Sequence, residues 1–164
     1  MSDLDFLVGR TLYELRYSAP GNLRAVFDAG DRVEPALYAD LGPFEFVDSE
    51  RGRHDVDPED PATLGPVLGA IGKKVQAVDT EGGTLSLLLS DTSRLRCEPH
   101  SDYEAWQVVG GSPQHLVVCM PGGELAVWDS ASRRAKPIAH PWWLGPALGN
   151  VPELCAACRD TNLA

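Results

Sequence analysis

The clearest pattern of apolar and polar positions lies between residues 102 and 128. Residues 105–109 are apolar and rich in β-forming side chains, residues 116–120 are almost wholly apolar, and residues 125–128 form a third short run. Pro121-Gly122-Gly123 separates the last two runs, and this order suits a turn because proline presets φ and glycine allows positive φ. The pattern predicts a strand followed by a hairpin.

Short apolar segments separated by turn residues continue through the first third of the chain. Each has four to six residues, which is the usual length of a strand. They lie at 12–17, 23–27, 33–38 and 44–47. The polar and glycine-rich stretches between them favour antiparallel connections, so this part of the chain is predicted to be a β-meander.

One segment has helical spacing instead. Leu64, Val67, Leu68 and Ile71 follow one another at i, i+3, i+4 and i+7, which places them on one face of a helix. Asp60-Pro61 is a typical start and Gly72 a typical end. A second short helix is predicted near residues 2–9, with Leu4, Leu7 and Val8 on one side.

The second half of the chain repeats the first. The matching segments are 8–12 with 71–75, 21–27 with 83–89, 31–33 with 93–95, and 44–46 with 103–106. Because an antiparallel sheet must bury one face, two such units are expected to pack together. The predicted fold is β-rich α+β: two related antiparallel β-meanders in a pseudo-twofold repeat, sharing one core, with two or three short helices.

This repeat defines the predicted domain organisation. Residues 1–164 are expected to form a single domain with several parts. The repeat halves are about 2–47 and 64–109, an acidic joint spans 48–61, an added hairpin spans 115–128, and an irregular tail spans 129–164. The tail contains Trp142-Trp143, for which packing onto the core is favoured over an exposed interface anchor.

Composition narrows the classes of partner. The net charge of −10 argues against nucleic acid and against an anionic membrane surface, and it favours a basic protein partner unless it serves only solubility. Apolar runs stay well short of the roughly 20 residues that span a bilayer. The acidic N-terminal residues and the four cysteines fit a reduced, cytoplasmic protein better than a disulfide scaffold.

The acidic joint holds the favoured partner-binding candidates. These are Asp48, Glu50, Asp55, Asp57, Glu59 and Asp60. Carboxylates at alternate positions also fit calcium, but the segment lacks the sixth-position glycine and terminal glutamate of an EF-hand loop. A solvated linker is the simplest interpretation, and it is also the best place for contact with a basic protein.

Two further clusters carry possible chemistry. His100, Tyr103, Glu104 and Trp106 could line a pocket and do acid–base work, although a strand entry of this composition is more often structural. Cys155 and Cys158 form a lone C-x-x-C, a weak metal or redox candidate for which packing in a helix is favoured. The sequence has no G-x-S-x-G, P-loop, H-E-x-x-H or dinucleotide motif, so no catalytic residue and no cofactor is predicted.

The residues Tyr103-Glu104-Ala105-Trp106, the upstream Leu85-x-Leu-x-Leu89 and the run from Pro121 to Trp128 resemble a group of small uncharacterised bacterial proteins. Their shared core is a β-meander that ends in Y-E-A-W, and the resemblance covers about residues 72–129. This chain has Ser90-Asp91-Thr92-Ser93 where an Asp-Gly turn is usual. The resemblance implies a fold and a bacterial origin and carries no active residues.

Immunity proteins, the partners of secreted bacterial toxins, include similar small acidic β-rich chains, which is an analogy only. We therefore expect a non-catalytic cytoplasmic protein-binding module, such as an immunity-type inhibitor of a basic toxin domain. The alternative is a small enzyme or ligand-binding domain with a pocket between the two halves. No oligomeric state is predicted.

Overall fold

The computed structural model describes residues 3–28 and 37–129, and these residues are rich in β-strands. The strands are β1 (Leu12–Ser18), β2 (Asn22–Phe27), β3 (Leu37–Leu41), β4 (Phe44–Val47), β5 (Arg53–Val56), β6 (Val75–Asp79), β7 (Leu85–Leu89), β8 (Arg94–Cys97), β9 (Trp106–Gly110), β10 (His115–Cys119) and β11 (Leu125–Asp129). The helical segments are short 3₁₀ helices at Asp5–Leu7, Pro61–Leu64, Pro66–Ala70 and Glu81–Gly83.

The strands form two antiparallel sheets. The six-stranded sheet has the order β1-β2-β3-β9-β10-β11, and the five-stranded sheet has the order β5-β4-β8-β7-β6. The chain leaves the first sheet after β3, when β4 pairs with β8, and returns after β8, when β9 pairs with β3. The predicted β-rich fold with few short helices is confirmed at this level.

Alternating burial explains why these segments are strands. In β2 the side chains of Leu23, Ala25 and Phe27 are buried, and in β7 those of Leu85, Leu87 and Leu89 are buried. Successive side chains of a strand point to opposite faces, so each strand turns one apolar row inward. Buried residues from both sheets belong to one hydrophobic cluster, which also includes Leu4, Leu7, Val67 and Ala70.

Reciprocal backbone hydrogen bonds join the segment before β1 to the segment before β6. Thr11 and Lys74 form an antiparallel bridge at the centre. In the first reciprocal pair, the Leu12 amide donates to the Lys73 carbonyl and the Val75 amide to the Arg10 carbonyl, both at 2.8 Å. In the second, the Gly9 amide donates to the Val75 carbonyl at 2.8 Å and the Gly72 amide to the Leu12 carbonyl at 2.7 Å. Every bond therefore has a counterpart running in the opposite direction.

The predicted helix over residues 61–71 is replaced by the two short 3₁₀ helices. Val67 and Ala70 are buried, whereas Leu68 and Ile71 are exposed to 55% and 41%, so the predicted apolar face does not form. Pro66 lacks the amide that a continuous helix needs, and Gly65 lowers helix propensity beside it. The local sequence therefore permits only single turns.

The segment 48–61 contains a strand that the apolar pattern did not predict. β5 lies at the edge of the five-stranded sheet and pairs with β4, with Val56 as its buried residue. An edge strand with one face in water needs few apolar side chains, so its pattern is weak. The described part of the third strand runs from Leu37 to Leu41 and includes Asp40, and residues 33–36 of the predicted segment lie outside the described residues. Residues 130–164 lie outside the described part.

Two glycine-rich turns, at Gly82-Gly83 and at Gly122-Gly123, approach each other closely. A Cβ atom on Gly83, whose φ is +80°, would overlap the backbone of Gly123, whereas a Cβ atom on Gly82, whose φ is +61°, would meet nothing within 4 Å. The Gly83 carbonyl also accepts a 2.8 Å hydrogen bond from the indole nitrogen of Trp106. Only a residue without a side chain fits this contact.

We expect Gly83→Ala to lower the free energy of unfolding by roughly 2–5 kcal/mol, because positive φ and steric overlap both penalise alanine. Gly82→Ala is the matched control and should lose only the backbone term of about 1–2 kcal/mol. Urea denaturation of both variants measures the difference. Equal losses would show that the approach to Gly123 contributes nothing.

Candidate functional site

A groove of about 660 Å³ opens where several loops meet the ends of the central strands. Its walls come from the β1–β2 turn, the β3–β4 connection, residues 57–59 and residues 103–107. Four carboxylates line it, from Asp40, Asp57, Glu59 and Glu104. Among the described residues no lysine, arginine or histidine does so, which makes this an acidic groove.

Backbone contacts bring the walls of the acidic groove together. The Gly42 amide donates to the Ala105 carbonyl at 2.8 Å, directly beside the antiparallel pair Leu41 and Trp106. A Cβ atom on Gly42 would stand 2.7 Å from that carbonyl oxygen, so the approach requires glycine. Trp106 is only 2% exposed and contributes apolar surface to the groove.

The negative charge of Asp40 is balanced by an arginine of the same sheet. Arg24 donates to both of its carboxylate oxygens, at 2.6 and 2.9 Å, and the Gln107 amide donates to it at 2.6 Å. The Arg24 guanidinium also lies 3.9 Å from the centre of the Tyr38 ring, and its hydrogen bond to Asp40 raises the pKa of Arg24. This pair holds β2 to β3 and leaves Asp40 little capacity for a ligand.

The other carboxylates divide into structural and unengaged groups. Asp57 accepts the Glu59 amide at 2.9 Å, and Asp60 accepts the Ala62 amide at 3.1 Å, so both stabilise turns. The carboxylates of Glu59 and Glu104 make no hydrogen bond or ion pair within residues 3–28 and 37–129. A cation that enters the groove would therefore meet Glu59 and Glu104 first.

The structure separates the six acidic residues that the sequence grouped together. Asp57 and Glu59 line the acidic groove, and Asp60 caps the Pro61–Leu64 turn. Asp48 belongs to the β4–β5 turn, where it accepts hydrogen bonds from His54 at 2.9 Å and from the amides of Glu50 and Gly52 at 2.9 and 2.8 Å. Glu50 and Asp55 are exposed away from the groove.

The second predicted cluster is also divided. Tyr103, Glu104 and Trp106 line the acidic groove, and His100 does not. The His100 ring stacks on Tyr103 with centroids 3.8 Å apart, and its Nδ1 accepts the Asp102 amide at 3.1 Å. The imidazole is therefore held by an aromatic ring and a backbone amide. The proximity of Asp57 and Glu59 to Glu104 had no local signal, because these residues are far apart in sequence.

The described cysteines are buried thiols. Cys97 donates to the Pro43 carbonyl at 3.4 Å, and Cys119 donates to the Gly83 carbonyl at 3.3 Å. Burial raises the pKa of Cys97 to about 12 and also raises the pKa of Cys119. No group of three potential metal ligands is found among the described residues. Cys155, Cys158 and Trp142-Trp143 fall outside them.

The fold and the groove define a β-rich protein of two antiparallel sheets with an acidic surface groove. The chain belongs to a family of unknown function (DUF6188), whose model matches residues 41–129. This span runs from the end of β3 to the end of β11 and includes Asp57, Glu59 and Glu104. No curated protein and no solved structure matches the chain. Within the described residues, no helix is long and apolar enough to cross a membrane.

The network around Asp48 predicts a pH dependence of stability. Hydrogen bonds from His54 and from the Gly52 amide lower the pKa of Asp48 below its ordinary value of 3.8. A lowered folded-state pKa stabilises the fold above the unfolded pKa, and the contribution is lost as pH falls through the folded pKa. Asp48→Asn should therefore be less stable than the natural chain near neutral pH and should lose less stability on acidification.

Denaturant unfolding at pH ~6 and pH ~2.5 measures this difference, because the first value lies above and the second below the ordinary pKa of an unfolded aspartate. The stability gap between the natural chain and Asp48→Asn should shrink at the lower pH. A gap that is equal at both values would contradict the proposed role of the ionised carboxylate.

Proposed function

We propose that this protein is a non-catalytic protein-binding module that holds a basic segment of its partner in the acidic groove. The observation that carries the proposal is the lining of the groove, where Glu59 and Glu104 have no described counter-ion and no described cation is present. Exposed carboxylates that share one groove without counter-ions add their negative potentials, and this favours a cationic ligand. The net charge of −10 supports the same choice through faster encounter.

The groove suits a lysine or arginine side chain in more than its charge. Tyr103 is 44% exposed and presents an aromatic ring beside Glu104, and cations bind favourably over such a ring. Pro20 and Pro43, which are exposed in the groove lining, provide apolar surface for the aliphatic stem of the same side chain. Charge, ring and apolar surface together define a site for a long basic side chain.

In its more specific form, the proposal is that the protein is a cytoplasmic immunity-type inhibitor. It would mask a basic cleft of a partner such as a bacterial toxin domain. A basic segment beside such a cleft would enter the acidic groove, and the bound protein would then keep a polyanionic substrate out of the cleft. Support comes from the charge and from the absence of a catalytic motif in the sequence, and the partner class rests on analogy.

The second candidate function is that of a small ligand-binding domain or enzyme, and the volume of the acidic groove supports it. About 660 Å³ lies within the range of small-molecule sites, and the lining comes from both halves of the chain. The ligand would be an organic cation such as a polyamine. Calorimetry with spermidine and with a lysine peptide separates the two candidates, because a polyamine site would bind spermidine more tightly.

We also propose that the architecture is the predicted pseudo-twofold repeat around a shared core. The reciprocal hydrogen bonds around the Thr11–Lys74 bridge support it, since a shift of 63 positions takes Gly9, Arg10 and Leu12 to their counterparts Gly72, Lys73 and Val75. The amides of the two bridge residues also bond in the same way, each to a side chain further along its own half. The Thr11 amide donates to the Asp28 carboxylate at 2.8 Å, and the Lys74 amide donates to the Ser90 hydroxyl at 3.1 Å. The exchange of β4 and β9 between sheets and the single buried cluster give further support.

Equivalent glycines test the repeat. Gly9 and Gly72 have φ values of +84° and +85°, and a Cβ atom on either would meet nothing within 4 Å. Gly9→Ala and Gly72→Ala should each cost about 1–2 kcal/mol of unfolding free energy, because only the backbone term applies. Denaturant unfolding should give equal values within ~0.5 kcal/mol, which is the usual additivity error. A clear inequality would argue against equivalent halves.

Charge reversal tests the binding function. The probe is a labelled peptide of eight lysines, measured by fluorescence anisotropy. Glu59→Lys with Glu104→Lys should weaken binding at least ~10-fold and flatten its salt dependence, because the two unengaged carboxylates are lost.

Glu50→Lys with Asp55→Lys is the matched control, since it changes the net charge equally outside the groove. It should weaken binding by no more than ~3-fold, through the general loss of negative potential. Equal weakening in both pairs would mean that total charge and not the groove binds the peptide. The same variants can then be applied to any protein that co-purifies from the native host.

A further inference from the structure

The outer face of the five-stranded sheet forms a second groove, of about 670 Å³, with a different character. Strand register sets its rows, because residues that face away from the buried cluster lie side by side on neighbouring strands. One row crosses the sheet as Arg53, Val47, Arg94, Leu88 and Ala77. We call this the arginine row. It places two cations on either side of Val47, with apolar side chains continuing beyond Arg94.

Other charges of the groove lie in the row beside the arginine row, which contains Glu45 and Arg96, and in the β4–β5 turn, which contains Arg51. Arg53 pairs with Glu45 at 3.3 Å and is 77% exposed, so this pair is solvent-screened. Arg96 in the next row pairs with Glu98 at 2.5 Å. Arg51 and Arg94 have no ion pair within the described residues. Positive charge is therefore left unbalanced at Arg94, in the arginine row, and at Arg51, in the adjacent turn.

The carboxylate of Asp48, which also lines the groove, pairs with His54 and with no arginine of the described residues. Both oxygens of Asp48 are engaged, by His54 on one side and by the Glu50 and Gly52 amides on the other. These internal bonds fix Asp48 in the β4–β5 turn. An anion above Val47 would thus meet guanidinium groups on both sides. Neighbouring strands lie ~4.8 Å apart, so the backbones of Arg53 and Arg94, which are two strands apart, are separated by ~10 Å. Long arginine side chains can converge across that span.

We propose that this groove binds an extended segment of a partner protein that carries acidic and apolar side chains on one face. The acidic side chain would pair with Arg53 and Arg94, and arginine suits this role because its planar fork binds a carboxylate through two parallel hydrogen bonds. The neighbouring apolar side chains would lie on Val47, Leu88 and Ala77. The site is separate from the acidic groove and has the opposite charge preference.

The lining excludes other occupants on physical grounds. A nucleic acid presents a continuous line of phosphates, and Glu45 beside Arg53 and Asp79 on β6 would repel it. Among the described residues, no aromatic side chain lines the groove to stack a base. A second copy carries the same net charge of −10, so its approach is opposed by repulsion between the two chains. A protein segment with isolated acidic residues fits the single cationic end.

The experiment uses the full-length protein and a labelled twelve-residue peptide made of three Glu-Ser-Val-Ser repeats. Residues two apart point to the same face of an extended chain, so Glu and Val alternate along one side. Fluorescence anisotropy should show binding that weakens at least ~10-fold in Arg94→Glu and less in Arg94→Gln, because reversal adds repulsion to the loss of attraction. A peptide with Ser in place of each Val should also bind more weakly, since the apolar contact is lost.

Arg16→Glu is the matched control, because Arg16 is an equally exposed arginine paired with Glu14 on the other sheet. It should change the affinity by less than ~3-fold. Absence of binding to the natural chain, or equal weakening in Arg16→Glu, would overturn the proposal. It would also be overturned if inorganic phosphate competed fully with the peptide, or if Arg94→Glu abolished self-association of the chain. Normal peptide binding in Glu59→Lys with Glu104→Lys would show independence from the acidic groove.

Discussion

The hydrogen bond from the Gly42 amide to the Ala105 carbonyl is the contact on which the rest of the structure depends. It lies where the chain passes from the first sheet to the second, beside the point where β9 returns. The 2.7 Å separation between a hypothetical Gly42 Cβ and that oxygen means that any side chain would push the two connections apart. Asp40 lies two residues before this contact and Glu104 one residue before Ala105, so the same bond also shapes the acidic groove.

The surface of the molecule is not uniformly acidic, although its net charge is −10. Carboxylates without counter-ions gather at the strand ends, and arginines gather on the outer face of the five-stranded sheet. Such a separation creates a strong local field on each side even when the total charge is modest. Under the two proposals, the protein would select partners by the sign of their charge at two separate places.

Local pattern was sufficient for most strands and insufficient for the site. The apolar alternation in β2 and β7 and the glycine turn before β11 are decided by neighbouring residues, and the structure has strands there. β5 was missed because Arg53 and Asp55 are polar and an edge strand buries only Val56. The helix over 61–71 failed because Pro66 interrupts the amide ladder. The acidic groove joins Glu59 to Glu104 through the strand exchange, which no local pattern encodes.

The buried cysteines have a consequence for the chemical durability of the fold. With the pKa of Cys97 raised to about 12, this thiol is almost entirely protonated at physiological pH, and protonated thiols react slowly with oxidants and electrophiles. Cys119 is held in the same way, with its proton directed at the Gly83 carbonyl. Both described cysteines should therefore stay reduced under mild oxidative stress, so that thiol oxidation does not disturb either groove.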